Sequence, residues 1–152
     1  MNELATSQHA FEIRRCRSED FEDLLPLFRE LWPDKPTNRS ALRRIYKQEL
    51  ASKSGAYLCV VKQRRIVGFG SLKIKNSLWL EGSLAHIDEL VVKSEYRGKG
   101  VGAALLRRLE MLAEHRGCRR VELDSASHRK LAHKFYEDRG FENRAFLFSK
   151  PL

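Results

Sequence analysis

The sequence predicts a mixed α/β fold: a mostly antiparallel sheet with one central parallel βαβ step and helices on both faces. Three observations carry this. Residues 86–125 run from an apolar strand through a glycine-rich loop into an amphipathic helix and out into another strand. That is a βαβ unit, which implies parallel pairing and a right-handed crossover. Residues 56–74 hold two β-rich runs joined by Gln63-Arg64-Arg65, the short connection of an antiparallel hairpin. Finally, the chain has 152 residues, 42% hydrophobic and 32% charged, which fits one globular domain with a substantial core. A single domain over residues 1–152 is expected, with residues 1–10 a flexible lead-in.

Taken in order, residues 11–16 (FEIRRC) alternate apolar and polar, as a half-buried strand does. Ser18 is placed to cap a helix whose first turn carries Glu19 and Asp20, where the helix dipole favours acids. Phe21, Leu24, Leu25, Phe28, Leu31 and Trp32 then recur at helical spacing. Pro26 should bend this helix or shorten its first part. A second helix begins near Ser40, with a narrower stripe of Leu42, Ile45, Tyr46, Glu49 and Leu50, and ends before Gly55. Residues 33–54 carry the weakest core signal, so this is the region expected to close over a substrate.

Residues 56–62 and 66–74 are the hairpin strands. Gly68 and Gly70 share one face of the second, which marks a bend or the close approach of another backbone. Residues 75–83 read as a loop with a short extension at Leu78-Trp79-Leu80, and residues 86–93 as a central strand. The helix after the glycine loop runs to about Arg116, with Leu105, Leu106, Leu109, Leu112 and Ala113 on one side and Gly117 as its stop. Residues 119–125 form a strand. Residues 129–139 form a last helix, with Leu131, Ala132 and Phe135 inward and Gly140 as its cap. Phe141 and residues 146–150 (FLFSK) are expected to make a terminal hairpin.

Composition excludes several classes. No apolar run approaches membrane-spanning length, and the first ten residues lack the basic and apolar regions of a secretory signal. A cytoplasmic protein with no membrane partner is expected. Cys16, Cys59 and Cys118 are odd in number and widely spaced, matching neither a disulfide framework nor a zinc pattern; Cys16 and Cys59 sit in strand-like runs and are expected as small buried hydrophobes. His86, Asp88, His128 and His133 follow no ligand spacing, so no metal is expected. A net charge of +9 favours anionic partners. The basic residues are scattered as pairs rather than gathered on one element, so a solvated surface is expected in place of a nucleic-acid interface.

The chemical content lies in the loop Arg97-Gly98-Lys99-Gly100-Val101-Gly102, between strand and helix. Alternate glycines leave backbone N–H groups open to an anion, and the helix points its positive end at the same place. These are the properties of a phosphate cradle. The spacing is not the G-x-G-x-x-G of dinucleotide sites, and no G-K-[S/T] closes a Walker A loop.

This loop resembles the acetyl-CoA signature of the GNAT N-acetyltransferase superfamily, Arg/Gln-x-x-Gly-x-Gly/Ala, with Arg97, Gly100 and Gly102 on its fixed positions. Residues 132–141 (AHKFYEDRGF) are similar to the family's A-x-x-F-Y-E-x-x-G-F stretch, and the element order matches from Phe11 onward. Residues 89–92 (ELVV), the Ala132-His133 pair and the ending Phe148-Ser149-Lys150 look most like small-molecule amine acetylators, including the aminoalkylphosphonate type. The resemblance implies acetyl-CoA as acetyl donor. It implies that backbone amides of Arg97, Gly98, Lys99, Gly100, Val101 and Gly102 hold the pyrophosphate, and that Leu90, Val91 and Val92 bind the pantetheine arm. Arg129 stands where many members carry a cofactor-contacting Asn, and an Arg there can reach a phosphate instead. Many relatives dimerise, which leaves a homodimer open.

Acetyl transfer to an amine needs a neutral amine, a polarised thioester carbonyl and a stabilised leaving thiolate. Free ammonium groups have pKa values near ~10, so a base is required at neutral pH. Glu89 is the first candidate, because related enzymes use an acid from this strand. Strand alternation puts His86 and Asp88 on the face opposite Glu89; a bulge would change that, and His86 is the second candidate. A structural acid or an anchor for the substrate ammonium is the other reading of Glu89. Tyr136 occupies the position of the family's catalytic Tyr, and a phenol of pKa about 10 can donate to a departing thiolate. Its other reading is packing beside Phe135. A backbone N–H near Val91 suffices for the oxyanion.

The function expected is N-acetyl transfer from acetyl-CoA to a primary amine of a small molecule, by direct attack in a ternary complex. The alternatives are a protein N-terminal or lysine acetyltransferase, a nucleic-acid-binding module, and a non-catalytic CoA sensor.

Overall fold

The computed structural model describes residues 10–152. Most of the expected flexible lead-in, residues 1–9, lies outside them, and Ala10 is exposed coil. The chain divides after Glu122 into two compact units, the second being Leu123–Leu152.

In the first unit, five strands form one sheet in the order β1-β2-β3-β4-β5. They are β1 (Glu12–Arg15), β2 (Gly55–Lys62), β3 (Arg65–Ser77), β4 (Gly82–Val92) and β5 (Cys118–Leu123). The first four pair antiparallel, and β5 lies parallel to β4. The antiparallel meander with one parallel step is the architecture expected.

Helices cover both faces. On one face lie α1 (Phe21–Leu31) and α2 (Arg39–Ala51). Phe21, Leu24, Leu27, Phe28 and Leu31 of α1 and Tyr46 of α2 share a core with Cys59, Phe69 and Val91 of the sheet. On the other face lies α3 (Val101–His115). A Cβ built on Gly70 would come 3.0 Å from Leu109 and 3.3 Å from Leu105 of that helix. The missing side chain at Gly70 is what lets α3 sit against the sheet.

Several boundaries differ from expectation. Ser18 opens a short 3-10 turn, and Asp20 stands at the start of α1. Its carboxylate accepts from the Arg17 N–H at 2.7 Å and pairs with Arg14. Pro26 neither splits nor shortens α1, which runs unbroken through it. One lost N–H bond is offset by the buried apolar face of the helix.

Of residues 75–83, expected as a loop, only 78–81 are a turn: the ladder continues through Lys75↔Leu84, Asn76↔Ser83 and Ser77↔Gly82. A projecting hairpin is held by backbone bonds and needs no apolar pattern; its tip exposes Leu78 and Trp79. Gln63 and Arg64 both adopt positive φ, 48° and 64°, at the β2–β3 turn. Those angles match the twist of the flanking strands.

The second unit holds α4 (Lys130–Glu137), closed by Gly140 at φ 87°. Leu131 is 88% exposed rather than inward, because the half-buried arc of this short helix is Ala132, His133, Phe135 and Tyr136. The terminal hairpin is absent: residues 141–152 form no strand, and Phe146 and Phe148 are 87% and 91% exposed. The three consecutive apolar residues Phe146-Leu147-Phe148 have β propensity but no alternation, so they define no face to bury. Among the described residues no helix is long and apolar enough to cross a membrane.

Candidate active site

The site is laid out by the sheet register. Tyr57 of β2 pairs with Ser71 of β3, and Ser71 with Glu89 of β4. Residues directly opposite share a face, so these three side chains form one row. Cys59, Phe69 and Val91 form the next row on the same face.

Between Ser71 and Leu72 the register with β4 slips: Ser71 pairs with Glu89 but Leu72 pairs with Ile87. Asp88 is the extra residue of a β-bulge. The slip corrects the expected facing. His86 pairs with Lys73 and therefore lies on the same face as Glu89, not the opposite one. Asp88 follows it, with Oδ1 2.8 Å from His86 Nδ1. Strand periodicity alone could not locate this bulge.

Glu89 is partly buried and tightly held. The Ser71 hydroxyl donates to its Oε2, and the Glu89 N–H donates to Ser71 Oγ at 3.1 Å. Burial raises the carboxyl pKa above the ordinary value, and the Asp88 and Glu49 charges add to that; the Ser71 bond and His86 oppose it. Ser71 is fully buried. It carries no motif, so sequence reading passed over it; only its pairing to Glu89 identifies it.

Glu89 opens into a cleft on this face. Phe28 and Trp32 from α1 and its end, and Leu42, Ile45 and Tyr46 from α2, form one side. Tyr57, Phe69 and Glu89 form the sheet side. The cleft encloses about 350 Å³, solvent at its mouth included. Residues 33–54, expected to lie over the substrate, supply three of these eight lining residues.

At its far end β4 leads into the glycine loop. Leu90 shares the α3 face with Gly70, Val91 is in the core, and the Val92 carbonyl accepts from Arg97 Nε at 2.9 Å. The Arg97 guanidinium also bonds Glu30 of α1 at 3.0 Å, and the same carboxylate accepts the Ser94 N–H at 3.0 Å. The Arg97 side chain is thus a strut between strand, loop and α1.

Gly98 and Gly100 have φ of 70° and 81°, with nothing within 4 Å of where a Cβ would stand. Both conformations favour glycine, and the space beside them is open. The first-turn N–H groups of α3, at Val101, Gly102 and Ala103, have no intrahelical acceptor. Lys62 and Lys99 flank the Tyr96 ring at 5.8 and 5.7 Å, adding positive charge. Open N–H donors, a helix N-terminus and two cations fit a pyrophosphate.

In the second unit, Tyr136 packs between Phe135 and Phe141, with ring centroids 5.3 and 5.8 Å away. Burial raises its phenol pKa, opposed by Arg129, so the hydroxyl stays protonated at neutral pH. Arg129 stands at the N-cap of α4. His133 Nε2 lies 2.9 Å from the Ala126 carbonyl, a local bond within this unit.

One cluster of metal-type donors occurs among the described residues: Cys16, Asp20 and Cys59. The Asp20 carboxylate is already committed to Arg14, at 2.8 and 2.9 Å, so the cluster is a buried ion pair beside two thiols. All three cysteines are free; Cys16 and Cys59 are buried as expected, and Cys118 is only partly so.

Residues 19–141 match the Acetyltransferase (GNAT) family. The chain is 29% identical to the aminoalkylphosphonate N-acetyltransferase of Salmonella typhimurium over 141 residues, 93% of this chain and 91% of that protein. It is 33% identical to the glucosamine 6-phosphate N-acetyltransferase of Trypanosoma brucei brucei over 134 residues, 86% of this chain and 88% of that protein. Two solved structures share its fold. A transcriptional regulator from Bacillus halodurans C-125 superposes with TM-score 0.87 at 21% identity, covering 94% of this chain and all 100% of the other. The aminoglycoside N-acetyltransferase AAC(6')-Iy in complex with CoA superposes with TM-score 0.79 at 20% identity, covering 94% and 96%. The family match takes in α1, the bulged strand, the glycine loop and the Phe135-Tyr136 helix, and the loop has the open donors that the pyrophosphate of acetyl-CoA needs. The chain belongs to the GNAT family and is an acyl-CoA-dependent N-acetyltransferase.

Proposed function

We propose that the protein moves an acetyl group from acetyl-CoA to the primary amine of a small molecule, by direct attack within a ternary complex. The observation that carries this is Glu89: a half-buried carboxylate of raised pKa, at the wall of an open cleft, on the strand that runs into the glycine loop. The curated relatives above are named for small-molecule amines, which supports the same acceptor class.

Bound acetyl-CoA supplies the acetyl group as a thioester, whose C–S bond breaks as the amine N–C bond forms. Glu89 takes the proton that the amine nitrogen gives up. A raised pKa brings a carboxylate closer to the working pH and strengthens it as a base. Tyr136 donates its hydroxyl proton to the departing sulfur, a role drawn from its motif position; its raised pKa keeps the hydroxyl protonated until the sulfur leaves. Backbone N–H groups of residues 97–102 hold the pyrophosphate, residues 90–92 line the pantetheine arm, and Arg129 meets a phosphate.

The test is CoA thiol release from acetyl-CoA across a panel of amines, with Glu89→Gln as control. The expected result is turnover of at least one amine and a loss of kcat of about 10²- to 10⁴-fold in the variant. An unchanged kcat removes Glu89 as the base. Cofactor binding with no amine consumed rejects the small-molecule reading in favour of a protein substrate or a sensor.

A further inference from the structure

A continuous chain of aromatic rings backs the cleft: Phe28, Tyr46 and Phe69 are buried in the core, and Trp32 and Tyr57 are partly exposed. Trp32 stacks on Phe28 with centroids 5.6 Å apart, and Phe28 meets Phe69 edge-on at 5.1 Å. Phe69 meets Tyr57 at 5.3 Å, and Tyr57 lies 5.6 Å from Tyr46. The Tyr46 hydroxyl is spent on the Arg17 carbonyl at 2.7 Å and the ring is buried, so this residue offers the cleft no hydrogen bond. Glu89 is the one charged side chain among the described lining residues, and it is an anion. The cation on these rings, Lys35, stacks over Trp32 at 5.3 Å and does not line the cleft.

This chemistry discriminates between acceptors. A phosphate or phosphonate brought here would carry close to two negative charges against apolar carbon, beside a carboxylate; no Arg or Lys lines the cleft, and Lys73, one row along the same face, is already paired with Glu49 at 2.6 Å. An unpaired charge in such surroundings is strongly disfavoured. Sugar hydroxyls would give up water for a wall with few hydrogen-bonding partners. An apolar body gains by the removal of its surface from water and by ring–ring contact. Its ammonium group is attracted both to the ring faces and to Glu89 before it loses its proton.

We propose that the acceptor is a hydrophobic primary amine of the arylalkylamine kind, with its apolar body against Trp32, Leu42, Ile45 and Tyr57 and its nitrogen at Glu89. This rests on the acetyltransferase reading above and narrows it. It also sets the chain apart from the relatives named for phosphonate and phosphosugar amines.

The experiment measures kcat/KM for 2-phenylethylamine, tryptamine, 2-aminoethylphosphonate, glucosamine 6-phosphate and an aminoglycoside at saturating acetyl-CoA, using the full chain. The aryl amines are expected to exceed the phosphorylated ones by about 100-fold or more. A preference for phosphonate or phosphosugar overturns the hydrophobic acceptor and leaves the acetyltransferase reading standing. If no amine is consumed while CoA binding is retained, the small-molecule acceptor proposed above fails, and the hydrophobic amine with it. A second variant tests the place. Ile45 is 46% exposed on the wall, so Ile45→Arg adds a cation without disturbing the core. The ratio of phenylethylamine to aminoethylphosphonate efficiency should fall about tenfold. An unchanged ratio means the acceptor does not bind in this cleft.

Discussion

Replacing Ser71 by Ala tests the assignment of Glu89 through a residue that has no chemistry of its own. Ser71 Oγ donates to Glu89 Oε2 and accepts the Glu89 N–H at 3.1 Å, and the side chain is fully buried. Ser71→Ala fits the space and removes both bonds. The first is a hydrogen bond to a charged group, worth about 1.5–3 kcal/mol. Its loss falls on the ionised carboxylate, because only that form accepts from the hydroxyl at full strength. The bond holds the Glu89 pKa down against burial, so the variant's pKa rises further. If Glu89 acts as a base, kcat/KM follows its ionised fraction. On the acid limb of the pH profile that fraction drops roughly 10- to 100-fold at a given pH. Above the new midpoint Glu89 is ionised again and the rate recovers. The assay is thiol release from about pH 5 to pH 9 for both proteins. A displaced acid limb with a shared alkaline plateau supports the assignment. An equal loss at every pH would refute it, since that is what a merely loosened active site gives.

Three further outcomes follow from the geometry. Tyr136→Phe should lower kcat by about 100-fold while leaving CoA affinity unchanged in calorimetry; equal kcat removes Tyr136 as proton donor. Gly100→Ala meets no atom within 4 Å but forces alanine to φ 81°, a backbone cost of about 1–2 kcal/mol. CoA binding should weaken roughly tenfold, and an unchanged Kd in titration calorimetry would mean the loop does not hold the cofactor. Asp20→Asn breaks a largely buried pair with Arg14 and should cost about 2–3 kcal/mol at neutral pH, read from urea unfolding. The Arg14 bond lowers the Asp20 pKa, opposed in part by burial. Its stabilisation is therefore present above the ordinary carboxylate pKa and lost as pH falls through the lowered one. The gap between wild type and variant should close in acid; a gap that stays constant denies the linkage.

What the sequence made legible was periodic or covalent. The α1 stripe, the βαβ unit and the glycine stops at Gly117 and Gly140 each depend on neighbours along the chain, and each stands where expected. The loop at Gly98 and Gly100 was legible for the same reason, because positive φ is a local demand. Errors came where a distant partner decides. Residues 75–83 look like loop because their polar side chains say nothing of the backbone ladder that holds them. Phe146-Leu147-Phe148 look like strand because propensity is blind to whether an edge is there to pair. Ser71 and the facing of His86 were hidden because both depend on register across two strands, which one chain segment cannot express.

The extra residue at Asp88 makes β4 a counting device. Residues before it and after it alternate in opposite phase, so His86 and Glu89, three positions apart, come to one face. A substitution at Asp88 alters a side chain; a one-residue deletion there would rotate everything upstream by half a turn and take His86 away from Glu89. Insertions and deletions in this strand should therefore be far more damaging than exchanges of residue type. What β4 must keep is its length between the hairpin tip and the glycine loop.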